Sequence, residues 1–238
     1  MGAYRGHSGR GVEPDRCQRN LLSSQPMAFN VFGPLTSAPE LATRLLRPLV
    51  ADLDRVTGVQ IEVPPQPAVE YLDDRTSFDV LVTYQATDGT SAFLGIETKL
   101  TERFSDKDYD IKPAYRRITE APGSPWRPGV TEQCNVKSWS QLWRDHLLVE
   151  ACARHASRPY GERGRVVVVR HPLDPEIGPV LAGYERLLSD ASTCVDLPLD
   201  RLVSVWREHA DGDAERQWLT RLHDRYVDLS LSEHLATT

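Results

Sequence analysis

Three charged residues fall where two short apolar segments can bring them together. Ser77 to Tyr84 carries Asp79, and Phe93 to Leu100 carries Glu97 and Lys99. Side chains on a strand alternate faces, so Glu97 and Lys99 share one face while Thr98 takes the other. Between the segments lies Gln85-Ala86-Thr87-Asp88-Gly89-Thr90. Its Asp-Gly pair is a hairpin signal, because glycine accepts the positive φ that tight primed turns demand. The hairpin therefore sets Asp79 alongside Glu97. Two carboxylates at close range repel and raise the apparent pKa of the pair unless a cation sits between them, and hard oxygen ligands of this kind suit Mg²⁺ or Mn²⁺. A lysine beside such an ion can orient or deprotonate a water, or neutralise charge developing on a phosphoryl oxygen. The chemistry expected is metal-dependent phosphodiester hydrolysis. The plain alternative is a surface ion pair on a structural α/β protein, in which Asp79→Ala would alter only stability.

Phe78-Asp79 followed by Glu97-Thr98-Lys99, with the lead-in Phe93-Leu94-Gly95-Ile96, resembles the signature of the PD-(D/E)XK nuclease superfamily. The stretches Ser23 to Leu35 and Gln141 to Leu148 resemble segments of a subfamily of bacterial restriction-endonuclease-like proteins. The likeness spans roughly residues 20 to 210 and is specific at these three places. Phe78 stands where the superfamily name implies proline, at a position that contributes no ligand. The resemblance implies an αβββαβ core, with Asp79 and Glu97 holding Mg²⁺ (or Mn²⁺) and Lys99 completing the catalytic set. It further implies DNA as substrate and a role in restriction or phage defence, and it admits a homodimer that cuts both strands. An additional carboxylate upstream of the Asp occurs in such proteins, and Glu70 is the candidate; its plainer reading is a surface glutamate on an edge strand. The stretch holding Gln141 lies beside the catalytic strands in the resembled subfamily, which makes Gln141 a candidate site residue. The second functional reading is a catalytically silent nucleic-acid- or partner-binding module with the same fold.

A chain of 238 residues with 40% apolar content can bury one substantial core. One domain over residues 21–230 is expected, with residues 1–20 disordered and 231–238 a tail. No segment reaches the roughly 18 to 20 apolar residues a membrane span needs, and the N-terminus lacks a signal-type apolar region, so a cytoplasmic protein without a membrane partner is expected. The cysteines, Cys17, Cys134, Cys152 and Cys194, are too scattered for zinc spacing and too few for a disulfide framework, and read as free thiols. A net charge of -6 argues against coating nucleic acid by bulk charge. A nuclease needs only a local basic rim, and Lys112, Arg116, Arg117, Arg127, Lys137 and Arg144 cluster after the hairpin. Arg116, Arg117 and Arg144 are the candidate nucleic-acid contacts, against the alternative of a solvated helical face. Phosphate-binding loops, nucleophile elbows, zinc-protease motifs and dinucleotide fingerprints are absent, and the seven histidines show no ligand spacing.

The elements that must position the three residues follow an α/β order, with a central mixed sheet flanked by helices. Leu41 to Leu53 reads as an amphipathic helix kinked near Pro48, and Val69 to Leu72 as a short strand leading into the hairpin. Residues 101 to 128 lack periodicity and suggest an irregular excursion by the site. Trp139, Leu142, Trp143, Leu147 and Leu148 recur at helical steps, predicting a long helix over about 132 to 156 that presents Gln141 and Arg144 together; His146 on it reads as an interior or surface histidine rather than a general base. Arg165 to Arg170 is a β-branched run expected in the sheet interior. A helix near 176 to 189, a strand at 194 to 197 and helices over 199 to 209 and 214 to 229 complete the order.

Overall fold

The computed structural model describes residues 24–101, 103–105 and 109–228, so the expected disordered start and the tail lie outside the described residues. Five strands, β1 (Leu53–Val63), β2 (Phe78–Ala86), β3 (Ser91–Lys99), β4 (Arg163–Arg170) and β5 (Cys194–Pro198), pair in chain order into one sheet. The first three form an antiparallel meander; β4 is parallel to β3, and β5 is parallel to β4. Parallel neighbours require crossovers, and helices supply them here. In chain order the helices are α1 (Ser24–Phe32), α2 (Pro39–Leu46), α3 (Pro113–Thr119), α4 (Thr131–Cys134), α5 (Ser140–Arg154), α6 (Ile177–Glu185), α7 (Leu199–Glu208) and α8 (Asp213–Tyr226). The result is an α/β fold with a mixed central sheet, consistent with the restriction-endonuclease-like fold.

Alternation divides the apolar residues into two cores. Val80, Val82, Leu94, Ile96, Val167 and Val169 pack with Met27, Leu45 and Trp206 on one face. Leu81, Phe93, Val166 and Val168 pack with Leu142, Trp143, Leu147 and Tyr184 on the other. The unbroken valine run of β4 is thus covered on both sides, and each such valine contributes roughly 1.5–3 kcal/mol of burial. The β2–β3 turn closes through Gly89 at φ 83°, as the Asp-Gly pair predicts. Gly95 serves a different purpose: a Cβ there would lie 2.5 Å from the Phe78 ring and 2.9 Å from Val149 of α5. Its bare backbone lets α5 close onto β3.

Four local readings change. The helix of residue 41 onward stops at Leu46, and β1 begins at Leu53. Register shifts between Leu53 and Arg55 and between Val56 and Gly58 space the buried residues Leu53, Val56 and Val59 by threes, which imitates a helix. Residues 68–70 form a 3₁₀ turn, not a strand. The excursion after β3 contains α3, whose Tyr115 and Ile118 are buried. The expected long helix is split into α4 and α5, with a break ahead of Ser140.

Candidate active site

The β2–β3 pairing of Val80 with Ile96 continues to Asp79 opposite Glu97. On the other side of β2, Ile61 pairs with Val80 and Val63 with Phe78, which sets Glu62 opposite Asp79. Three acidic residues therefore fall at one level of three adjacent strands. Glu62 has φ 55°, a left-handed conformation that costs a residue with a Cβ about 1 kcal/mol or more. Its neighbours Ile61 and Val63 pack into opposite cores, so the strand turns over at this residue.

Lys99 Nζ lies 2.9 Å from Glu97 Oε1 and donates to Gln141 Oε1 at 3.2 Å. Gln141 Nε2 donates to Glu97 Oε1 at 2.7 Å, and the same amide oxygen accepts from the Ser105 backbone at 2.7 Å. Gln141, at the start of α5, thus fixes both charged residues of β3 through one amide. Lys99 also stands 4.9 Å from the centre of the Phe104 ring. Asp79 Oδ2 accepts from the Thr98 backbone N–H and hydroxyl, each at 2.8 Å. Thr98 Oγ1 is itself 3.3 Å from the Ser24 carbonyl oxygen of α1, and Gln25 Nε2 donates to Glu62 Oε1 at 2.7 Å. One turn after Gln141, Asp145 is 7% exposed and its Oδ2 has no partner among the described residues.

Burial pushes the Asp79 carboxyl up to about 8, with the charge of Glu97 adding to the rise and the Thr98 bonds opposing it. Burial and Glu97 likewise raise Glu62, against the pull of Gln25. Asp145 is raised well above the usual carboxylate range by burial and by Glu97, while Arg144 and Lys99 oppose the rise. Burial works against the Lys99 ammonium, but adjacent Glu97 outweighs it and the group stays charged. The hard oxygen donors of Asp79 and Glu97 fit a divalent cation, and the raised carboxyls mark negative charge that Lys99 does not offset.

The remaining sequence candidates take separate places. Glu70 is exposed and contacts His155 at 3.1 Å. Arg144 stacks 3.8 Å from the Tyr109 ring centre and reaches Thr76 Oγ1 at 3.5 Å. Arg116 is engaged by Glu120 at 3.1 Å and Glu132 at 2.6 Å, and Arg117 is exposed. His146 is buried between Trp126 and Tyr184, and burial lowers it to about 3. Glu62 and Asp145 are absent from the sequence reading, which gives Thr98 a place on the opposite face but no site role. The alternation of Val59, Ile61 and Val63 is the one signal that would have placed Glu62 on a strand.

The chain belongs to the PD-(D/E)XK nuclease superfamily, whose family profile matches residues 2–228, nearly its whole length. That match extends the signature on β2 and β3 to the flanking elements. Members of this superfamily are generally nucleases and typically use divalent metals. No curated protein and no solved structure matches the chain. Among the described residues no helix is long and apolar enough to cross a membrane.

Proposed function

We propose that the protein is a divalent-cation-dependent nuclease that hydrolyses DNA phosphodiesters at the β2–β3 row, with Asp79, Glu97 and Lys99 as its catalytic residues. The observation that carries this reading is the convergence of Asp79, Glu97, Lys99 and Gln141, with the Asp79 carboxyl raised by burial and by the charge of Glu97. Asp79 and Glu97 would hold Mg²⁺ or Mn²⁺. When bound, such an ion activates water as a nucleophile and offsets charge on the phosphoryl oxygens. Lys99 supplies a charged N–H donor beside the carboxylates, suited to a phosphate oxygen or to the attacking water. Gln141 keeps Glu97 and Lys99 in register, and Thr98 fixes one oxygen of Asp79. Arg144, braced by Tyr109 and Thr76, is suited to a backbone phosphate at the rim. A restriction or phage-defence role extends this proposal.

The test is incubation of plasmid and linear DNA with the purified protein, with and without Mg²⁺ or Mn²⁺, beside Asp79→Ala and Lys99→Ala. Cation-dependent cutting lost in both variants is expected. A folded wild type that binds DNA but cuts neither DNA nor RNA would favour the silent binding module.

A further inference from the structure

A hollow of about 370 Å³ lies on the face of the sheet turned away from α5 and Gln141. Leu94, Ile96, Val167 and Val169 form its floor, and the segment from Leu49 to Asp52 and the start of α7 complete its lining. Around that floor Leu49, Val50, Val195 and Leu197 stay only partly buried. The reason is local: β5 is an edge strand of five residues that passes directly into α7, so the apolar side chains of β4 and β5 outrun the elements that cover them. Protein interiors pack nearly as densely as organic crystals and leave few voids larger than a water molecule. This one has room for about twelve groups of water size, at ~30 Å³ each. In volume and in its mostly apolar lining it matches small-molecule pockets, which run from about 300 to 1,000 Å³ and hold a few polar groups that fix the ligand.

The charged groups of the lining select the ligand. Asp52 accepts from Arg165 at 2.7 and 3.1 Å, and Asp196 accepts from Arg170 at 2.8 and 3.0 Å, so both acids are already matched. Arg201, in the first turn of α7, lines the same hollow, is exposed, and has no hydrogen bond or ion pair among the described residues. The charge left over beside the apolar floor is therefore one guanidinium. We propose that the hollow binds an amphipathic monocarboxylate with an apolar body of about ten carbon atoms, its carboxylate on Arg201 and its body over the side chains of β4 and β5. The apolar walls favour a hydrocarbon body over water, and the planar guanidinium offers the carboxylate a two-point bond. The site stands apart from the cation reading: it uses none of Asp79, Glu97, Lys99 or Gln141, and its test needs no catalysis.

The experiment is calorimetric titration of the full chain with sodium decanoate, decylammonium chloride and sodium acetate, for wild type, Arg201→Gln, Arg201→Glu and Val195→Trp. Circular dichroism checks the fold of each variant. Wild type should take up one decanoate per chain, with decylammonium about 5-fold weaker or worse and acetate, which lacks the apolar body, not bound. Arg201→Gln should weaken decanoate about 5-fold, and Arg201→Glu should turn the preference toward decylammonium. Val195→Trp fills the hollow and should abolish binding. A folded wild type that binds no decanoate would overturn the proposal. Decanoate affinity unchanged in Arg201→Gln would overturn the carboxylate assignment, and affinity unchanged in folded Val195→Trp would overturn the site. If Val195→Trp does not fold, Arg201→Glu decides alone, and wild-type decanoate affinity there rejects the proposal.

Discussion

The strands carry a charged cluster at each end, and the two are built on opposite rules. At the hairpin end, Asp52 accepts from Arg165 at 2.7 and 3.1 Å and from Arg163 at 3.2 Å, while Asp88 accepts from Arg163 at 2.8 Å. Tyr84 completes the network through Asp52 and Arg165. Two acids meet two guanidiniums, Arg165 holds Asp52 below the usual carboxylate range, and Arg163 does the same for Asp88. At the far end, Glu97, Asp145 and Asp79 act on the one ammonium of Lys99, with Glu62 alongside Asp79, and burial drives Asp79 up to about 8. A balanced cluster ties β4 to the turn before β1 and stabilises the fold as it stands. The unbalanced one carries repulsion that a retained proton or an added cation relieves, which is what a binding site requires and a structural ion pair avoids.

The largest expected effect comes from neutralising the unbalanced end. Asp79→Asn should lower cation-dependent DNA cutting by about 100-fold or more, yet raise the melting temperature of the metal-free protein at pH 9, because it removes a repelled buried charge. A drop in metal-free stability in that variant would contradict the account of stored repulsion. Arg165→Met should do the reverse. It leaves Asp52 short of its best partner and should cost about 2 kcal/mol in urea unfolding, while cutting at a temperature where the variant is folded stays near wild type. Loss of cutting in folded Arg165→Met would mean the two ends are coupled.

The two clusters should also respond to pH with opposite signs. Asp79 has a folded value of about 8 against an ordinary 3.8, so the folded chain retains a proton that the unfolded chain has released. That contribution is complete below about pH 4 and is lost as pH rises through about 8. Asp52 and Asp88 are lowered, so their contribution is complete above the ordinary carboxylate value and is lost on acidification. The metal-free melting temperature should therefore fall between about pH 5 and pH 8, and Mn²⁺ should flatten the fall. Asp79→Asn should flatten it without metal. A profile that rises over this window in the metal-free wild type would break the contrast.

The site was legible in the sequence where chemistry and local periodicity coincide. Asp79, Glu97 and Lys99 lie on regular strands joined by an Asp-Gly turn, so a period of two was enough to bring them together. Gln141 was legible through the helical spacing of its neighbours and the resemblance of its segment. Glu62 was not, because β1 departs from period two at its register shifts and again at Glu62 itself. The irregularities that conceal the strand are also what orient the carboxylate. Asp145 was hidden differently: a buried aspartate on a helix looks like any polar residue until the sheet beneath it is known to end in three more acids. The break ahead of α5 escaped the periodicity because Trp139 keeps the apolar spacing while its neighbours leave the helix.

The smallest effect separates rim residues that the sequence could not rank. Arg116 is occupied by Glu120 and Glu132 on the exposed face of α3, whereas Arg144 stacks on Tyr109 within reach of Thr76, three residues along α5 from Gln141. A guanidinium already pre-ordered beside the catalytic row loses little freedom on meeting a phosphate, while Arg116 must first leave two carboxylates. Arg144→Ala should therefore weaken binding of a short duplex a few-fold in the presence of Ca²⁺, and reduce the slope of log affinity against log salt by about 1. Arg116→Ala should change neither by a measurable amount. Equal effects from the two variants would mean that the duplex lies across α3 rather than along the start of α5, and would move the nucleic-acid path away from the unbalanced end of the sheet.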